Sequence, residues 1–249
     1  MNTFTLKIIA LIFMVIDHIG FYFEAAPPWF RSIGRLSYPI FLFCMIWGLT
    51  YTKNRKAYLV RLYLASICMS LFCYLISSFI PAPTGLANHN IFISMFIVGV
   101  LITTIELCKK DPRKGLLVTE IIFIVQLLYA VLPSLLPLTQ NISGNILAGI
   151  IPSIIVNEYG FNFIILGVLM YFLKEDKTIF SIMYILFCAC QFILEKFGLA
   201  GTGQYLMIFA LPFILIYNNE KGPSLKYFFY IFYPAHIFIL FYISNFVLT

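Results

Sequence analysis

The sequence predicts an all-α fold: a polytopic integral membrane helical bundle of about nine transmembrane helices plus a short broken or re-entrant segment, as one domain over 1–249. Two observations lead there. The 249 residues are 62% hydrophobic, 18% aromatic and only 10% charged, with a mean hydropathy of +0.97. A soluble domain is about 45–50% apolar and about 25% charged. The apolar residues also gather into runs near the length a bilayer requires, roughly 20 residues per helix. One soluble core of this size could not hide so much apolar surface. That excludes a soluble globular enzyme, a disordered regulator and a nucleic-acid binder. The net charge of +6 is therefore read by position, because Lys and Arg mark the loops on the cytoplasmic side of a membrane.

The first run covers 4–23. It is too long for a cleavable signal peptide, holds Asp17-His18 in its apolar part and lacks a small-x-small cleavage site. The second, 33–51, follows Pro27-Pro28, and the third, 57–80, stops at Pro81-Ala82-Pro83. The fourth and fifth cover 91–107 and 116–138. The run 142–156 is short and carries Gly144, Gly149 and Pro152, which makes it a half-helix or re-entrant piece. Then come 160–173, 178–195, 205–217 and 225–248. Lys7, Lys53, Arg55, Lys56, Lys109, Lys110, Arg113, Lys114, Lys174, Lys177, Lys221 and Lys226 fall on one side, with Arg61 just inside the third span from that side. Arg31, Arg35 and Lys196 fall opposite. This alternation puts the amino terminus in the cytoplasm and the carboxyl terminus outside. Cys44, Cys68, Cys73, Cys108, Cys188 and Cys190 sit in or beside apolar runs, as packing residues rather than a disulfide or metal framework.

An ionisable residue inside a span is costly and marks a functional candidate. Lys7 and His18 have ten residues between them, which on a helix puts them within about 20° of one face and about 16 Å apart along the axis. A cation at the cytoplasmic end suits donor phosphates, and a histidine further out suits a general base. The plainer reading has Lys7 snorkelling to headgroups and Asp17-His18 as a buried structural pair. Asp17 points about 100° from His18, as a residue that orients neighbours. Arg31 and Arg35 need an anionic partner: Asp17, Glu158 or Glu24, or an incoming anion. Asn88-His89-Asn90, at the outer start of the fourth span, can bind substrate or cap a helix. Glu158 adjoins the irregular Pro152 segment, where a broken helix can line a cavity. Tyr233-Pro234-Ala235-His236 interrupts the last span, and a histidine at that depth needs a partner. Gln126, Gln191 and Gln204 read as interhelical hydrogen bonds. The sequence has no Gly-x-Ser-x-Gly elbow, no Walker loop and no metal-ligand spacing.

Several stretches together resemble the TraX family of membrane proteins. They are Leu6-Lys7-Ile8-Ile9-Ala10 through Ile16-Asp17-His18-Ile19-Gly20, then Ile33-Gly34-Arg35-Leu36-Ser37-Tyr38-Pro39-Ile40-Phe41. Thr52-Lys53-Asn54-Arg55-Lys56-Ala57-Tyr58-Leu59-Val60-Arg61-Leu62 follows. The end agrees, from Ala210-Leu211-Pro212 through Tyr217-Asn218-Asn219-Glu220-Lys221-Gly222 to Lys226-Tyr227-Phe228-Phe229-Tyr230-Ile231-Phe232-Tyr233-Pro234-Ala235-His236. The family takes its name from a conjugation protein that acetylates a pilin amino terminus. The chain is also similar to the wider class of multi-pass transmembrane acyltransferases, whose first span carries a basic residue and a histidine at the spacing of Lys7 and His18. The resemblance implies acetyl-CoA as donor, an exported peptide, pilin or surface glycan as acceptor, and the bacterial plasma membrane as location. It implies catalysis at His18 with Asp17, Arg35 and His236, and donor contact at Arg61. Lys7, Arg31, His89, Asn90, Glu158 and Tyr233 complete the candidate binding set. The chain departs from the family at Trp47-Gly48, where relatives often carry an acid before the glycine. The alternative is a non-enzymatic transporter, channel or pilus-assembly factor. Intramembrane charges and a broken segment suit a transporter too, but the inverted repeats common in transporters are not found. A degenerate relative with a structural role is the third reading.

Overall fold

The computed structural model describes residues 1–80, 82–86, 89–136, 142–223 and 225–247, without the Lys226 side chain. Pro81, Asn88, Leu138 and Leu248, which figured in the sequence reading, lie outside the described residues. The described residues form helices and turns with no strand. Seven helical stretches among them, with Trp29–Tyr51 taken as one, are long and apolar enough to cross a membrane by length and composition. Two shorter apolar stretches, Gly160–Leu173 and Gln204–Leu215, account for the remainder of the expected nine.

Helix α1 spans Thr3–Tyr22 and starts at Asn2, whose carboxamide accepts from the Thr5 N–H at 2.9 Å. Its buried residues Leu6, Ala10, Met14, His18 and Tyr22 recur every fourth position and form one inward stripe. The expected 33–51 span is in fact two helices, α2 (Trp29–Gly34) and α3 (Ser37–Tyr51), broken at Arg35-Leu36. Pro39 has no N–H for the Arg35 carbonyl, so a continuous helix would lose a rung there. Helix α3 is apolar on every face and correspondingly buried along most of its length.

Helix α4 is Arg55–Phe79, with the Asn54 side chain accepting from the Ala57 N–H at 2.9 Å. Helix α5 (Ile91–Lys110) runs beyond the expected 107 and places Lys109 and Lys110 in its last turn, where the helix dipole favours cations. Helix α6 is Pro112–Leu135, four residues earlier at its start than expected, because Asp111 caps it and Pro112 fits the first turn. Almost all of α6 is exposed and apolar, the surface a lipid-facing helix presents. The short segment expected at 142–156 is helix α7 (Gly144–Ile150) followed by bends. Helices α8 (Gly160–Leu173) and α9 (Lys177–Lys196) follow. A 3₁₀ stretch, Gln204–Ala210, leads into α10 (Leu211–Leu215), in place of the expected 205–217 span. Helix α11 is Lys226–Phe246.

The chain divides into two compact units: Met1–Tyr51, Ala82–Thr84 and Leu169–Thr249 form the first, Thr52–Pro81 and Gly85–Val168 the second. In the first unit α1 packs on α2, α3 and α11. Lys7 meets Phe229 and His18 meets His236, so α1 and α11 run in the same direction. Backbone carbonyls gather the amino terminus and Lys177 at one end of this unit. The Met1 amino group donates to the Ile216 carbonyl at 2.7 Å, Thr3 Oγ1 to the Lys221 carbonyl, and Lys177 Nζ to the Leu215 carbonyl. Arg31 and Arg35 lie at the opposite end, near Asp17 and Thr202. In the second unit α4 packs on α5 and α7, and α5 on α6.

Candidate functional site

The last buried turns of α1 bring His18 against α11. His18 and His236 are 5% and 6% exposed. Their rings lie 5° from parallel with centroids 4.9 Å apart, and His18 Nδ1 is 2.7 Å from His236 Nε2. His236 also stacks on Phe232, with centroids 5.0 Å apart, and meets Tyr233 edge-on at 5.7 Å. His236 Nδ1 lies 2.8 Å from the Phe232 carbonyl. A carbonyl only accepts, so His236 Nδ1 carries the proton and Nε2 the lone pair. That lone pair faces His18 Nδ1, which must donate. The lone pair of neutral His18 is thereby left on Nε2. The tautomers follow from the bonding network, and the chain from carbonyl to His236 to His18 holds a basic nitrogen at span depth.

Asp17, next along α1, binds Arg31 at 2.8 Å, and Arg31 Nη1 also donates to the Asp17 carbonyl at 3.2 Å. Of the partners considered for Arg31, the structure selects Asp17. Arg31 lies over Phe21 as well, 5.5 Å from the ring centroid. Helix α2 approaches so closely that a Cβ on Gly34 would overlap the Asp17 carboxylate. Arg35, in the break after α2, donates from Nη2 to the Thr202 carbonyl at 3.2 Å. Lys7 sits over the Phe229 ring at 5.6 Å, two turns before His236 on α11. The first unit therefore gathers His18, His236 and Tyr233 in one cluster, with Asp17, Arg31 and Arg35 around the end of α1 and α2.

Arg61, His89, Asn90 and Glu158 belong to the second unit. His89 Nδ1 donates to Glu158 Oε1, and the Asn90 N–H to Glu158 Oε2 at 3.3 Å. Asn90 stands at the cap position of α5 but makes no capping bond with its side chain. Its Nδ2 donates instead to the Ser66 carbonyl, Ser66 Oγ and Ser70 Oγ at 3.0–3.1 Å. Ser66 and Ser70 are midway along α4, so the start of α5 packs against the middle of α4. Ser66 Oγ donates to the Gly149 carbonyl at 2.8 Å and Tyr63 to the Ile150 carbonyl at 2.6 Å. Gln126 donates to the Pro152 carbonyl and accepts from the Ile154 N–H. The broken segment thus has its backbone satisfied by side chains, the condition for irregular backbone at membrane depth. Arg61 stacks over Tyr58 at 5.8 Å, and its buried Nε has no hydrogen-bond acceptor among the described residues.

Sequence reasoning missed Ser66 and Ser70, and also the Phe232 carbonyl that sets the histidine tautomers. The four-residue spacing of Ser66 and Ser70 on one face of an apolar span was the available signal. No cluster of three His, Cys, Asp or Glu suited to a metal occurs among the described residues.

These features define a polytopic helical membrane protein with ionisable side chains held at span depth. The chain belongs to the TraX family: the model of that family, described as TraX protein, matches residues 3–244. It is also similar to a protein of Dichelobacter nodosus named probable fimbrial assembly protein FimC, serogroup H1. The two are 24% identical over 245 residues, covering 96% of this chain and 94% of the relative. No solved structure matches the chain.

Proposed function

We propose that the protein is a membrane-bound acetyltransferase that moves acetyl from cytosolic acetyl-CoA to an amine or hydroxyl of an exported molecule. The hydrogen-bond chain that leaves the His18 lone pair on Nε2 carries this reading. In the proposed step His18 Nε2 takes the proton of the acceptor N–H or O–H as that atom attacks the thioester carbonyl. The tetrahedral intermediate collapses with loss of the coenzyme thiolate, and the His18 imidazolium returns the proton to that sulfur. His236 is a positioning residue that fixes the His18 tautomer and shares the positive charge while it lasts. Arg35 is the cation assigned to the developing oxyanion, and Lys7, in the same unit, is assigned to the donor.

The membership in TraX and the relative's name, which refers to fimbrial assembly, favour a pilin or another exported peptide as acceptor over a surface glycan. The same name supports the second reading, a non-enzymatic pilus-assembly factor. The proposed orientation places the Met1 end of the first unit, with Lys7, Lys177 and Lys221, in the cytoplasm of the bacterial plasma membrane and the end of α11 outside. Transfer of radiolabelled acetyl from acetyl-CoA to a pilin-derived peptide, by the purified full chain, tests the proposal. Activity lost in His18→Ala with an unchanged melting temperature supports it. Equal transfer by both proteins sinks it.

A further inference from the structure

We propose that a cleft at the lysine-rich end of the first unit is a binding site for a phosphoryl group. Trp47, Lys174, Lys177, Phe180, Tyr217 and Asn219 line it. All six belong to the first unit. Lys7, the residue assigned above to the donor, is not among them.

Lys174 is the unusual member. Its side chain is only 9% exposed, although it follows the end of α8 directly. Its ammonium lies over the Tyr171 ring at 4.2 Å and the Trp47 ring at 5.6 Å, and donates to the Tyr171 carbonyl at 3.2 Å. An ammonium has three donors. The carboxylate beside it, Glu175 at 3.4 Å, is 75% exposed. An exposed ion pair of that kind is weak and yields to a more highly charged anion. Asp176 is engaged elsewhere, accepting from the Thr178 and Ile179 N–H groups at the start of α9. Lys177 adds a second cation, with Nζ 3.0 Å from the Leu215 carbonyl. Trp47 contributes its ring to the wall of the cleft.

Two ammonium groups match a dianionic terminal phosphoryl group better than a single carboxylate. The cleft encloses only about 20 Å³, room for about one or two oxygen-sized atoms, so a ligand seats one edge of a terminal phosphoryl group in its mouth and keeps its remaining bulk outside. Two sources share that chemistry: the phosphate of a coenzyme nucleotide and the phosphate of a lipid headgroup. For the first source the inference rests on the proposed transfer and locates the phosphate of the donor. For the second it stands by itself.

The test uses the full chain carrying Trp29→Phe, which leaves Trp47 as the one remaining indole of two. Trp47 fluorescence is followed as adenosine 3′,5′-bisphosphate is added to detergent-purified protein. A second arm compares nanodiscs of phosphatidylcholine alone with nanodiscs containing phosphatidic acid. The expected result is a saturable change, weakened about tenfold in Lys177→Gln and in Lys174→Gln, kept in Lys174→Arg and unaffected by His18→Gln. Lys177 is exposed, so its variant reports on the site even if the Lys174→Gln protein does not fold. A response to the bisphosphate assigns the nucleotide, and a response only to phosphatidic acid assigns the lipid. No saturable change in either arm, or one equal in Lys177→Gln, overturns the site. Acetyl transfer failing while this binding persists defeats the transfer and leaves the site standing. Transfer without this binding does the reverse.

Discussion

Replacing His236 by Phe separates the hydrogen-bonding role of this ring from its packing role. The substitution keeps an aromatic ring stacked on Phe232 and against Tyr233, but removes the acceptor 2.7 Å from His18 Nδ1. Both histidines are about 95% buried, so the His18 N–H gains no water in exchange. Leaving a buried donor unsatisfied costs about 1–3 kcal/mol. His18 can relieve that cost by moving its proton to Nε2, which removes the lone pair that the proposed reaction needs. Acetyl transfer should therefore fall about 10- to 100-fold, with KM for acetyl-CoA changed little, because a tautomer shift of this energy is worth one to two powers of ten. The melting temperature should fall modestly. The state of His18 is readable without any assay of transfer. The chain has three histidines, so nitrogen-15 labelling of histidine gives three ring spectra, and His89→Gln removes the one outside the pair. His18 should show the Nδ1–H form in the wild-type protein and lose that preference in His236→Phe. An Nε2–H signal for His18 in the wild type would refute the tautomer argument whatever the activity.

Gly34→Ala should destabilise the protein by about 1–3 kcal/mol through overpacking, since the new Cβ overlaps Asp17 where α2 meets α1; an unchanged melting temperature would show that this contact is looser than described. Gly149→Ala should act similarly on the second unit, its Cβ colliding with Ser70 Oγ and the Asn90 amide, and adding Ser70→Ala should restore part of the loss in the same melt. The Asp111 carboxyl is held below its ordinary range, first by the Lys114 side chain at 3.0 Å and then by backbone N–H groups at the start of α6. A lowered carboxyl stabilises the folded state above its unfolded pKa and loses that contribution as pH falls through the folded value, so the start of α6 should loosen below about pH 4. Protection of the Lys114 amide, its exchange measured against the intrinsic rate at the same pH, should be present near neutral pH and lost in acid, and Asp111→Ala should lack it at both.

The spans were legible because a bilayer demands long apolar runs, and these show in one dimension. The break between α2 and α3 was written at Pro39, but a run that stays apolar on both sides of a proline reads as one helix. The 91–107 run missed the end of its helix and the 116–138 run the start of its helix for a related reason: caps and last turns are polar, and hydropathy stops short of them. The short, broken character of 142–156 was visible in Gly144, Gly149 and Pro152. What satisfies that segment, Ser66, Tyr63 and Gln126, lies 26 to 87 residues away in the chain and was not visible.

The sequence alone determined that this chain is a multi-pass helical membrane protein of the TraX family, and that few ionisable residues lie at span depth. Composition and run length suffice for the first because lipid penalises every exposed backbone group, and the scarcity of intramembrane charges makes the second a matter of reading. Only the tertiary structure decided which of them meet. Arg31 had three possible carboxylate partners and takes Asp17. His18 and His236 are 218 residues apart and share one hydrogen bond. A helix period states which face a residue occupies, but not which other helix that face will touch, since that depends on packing across loops whose geometry no local pattern encodes.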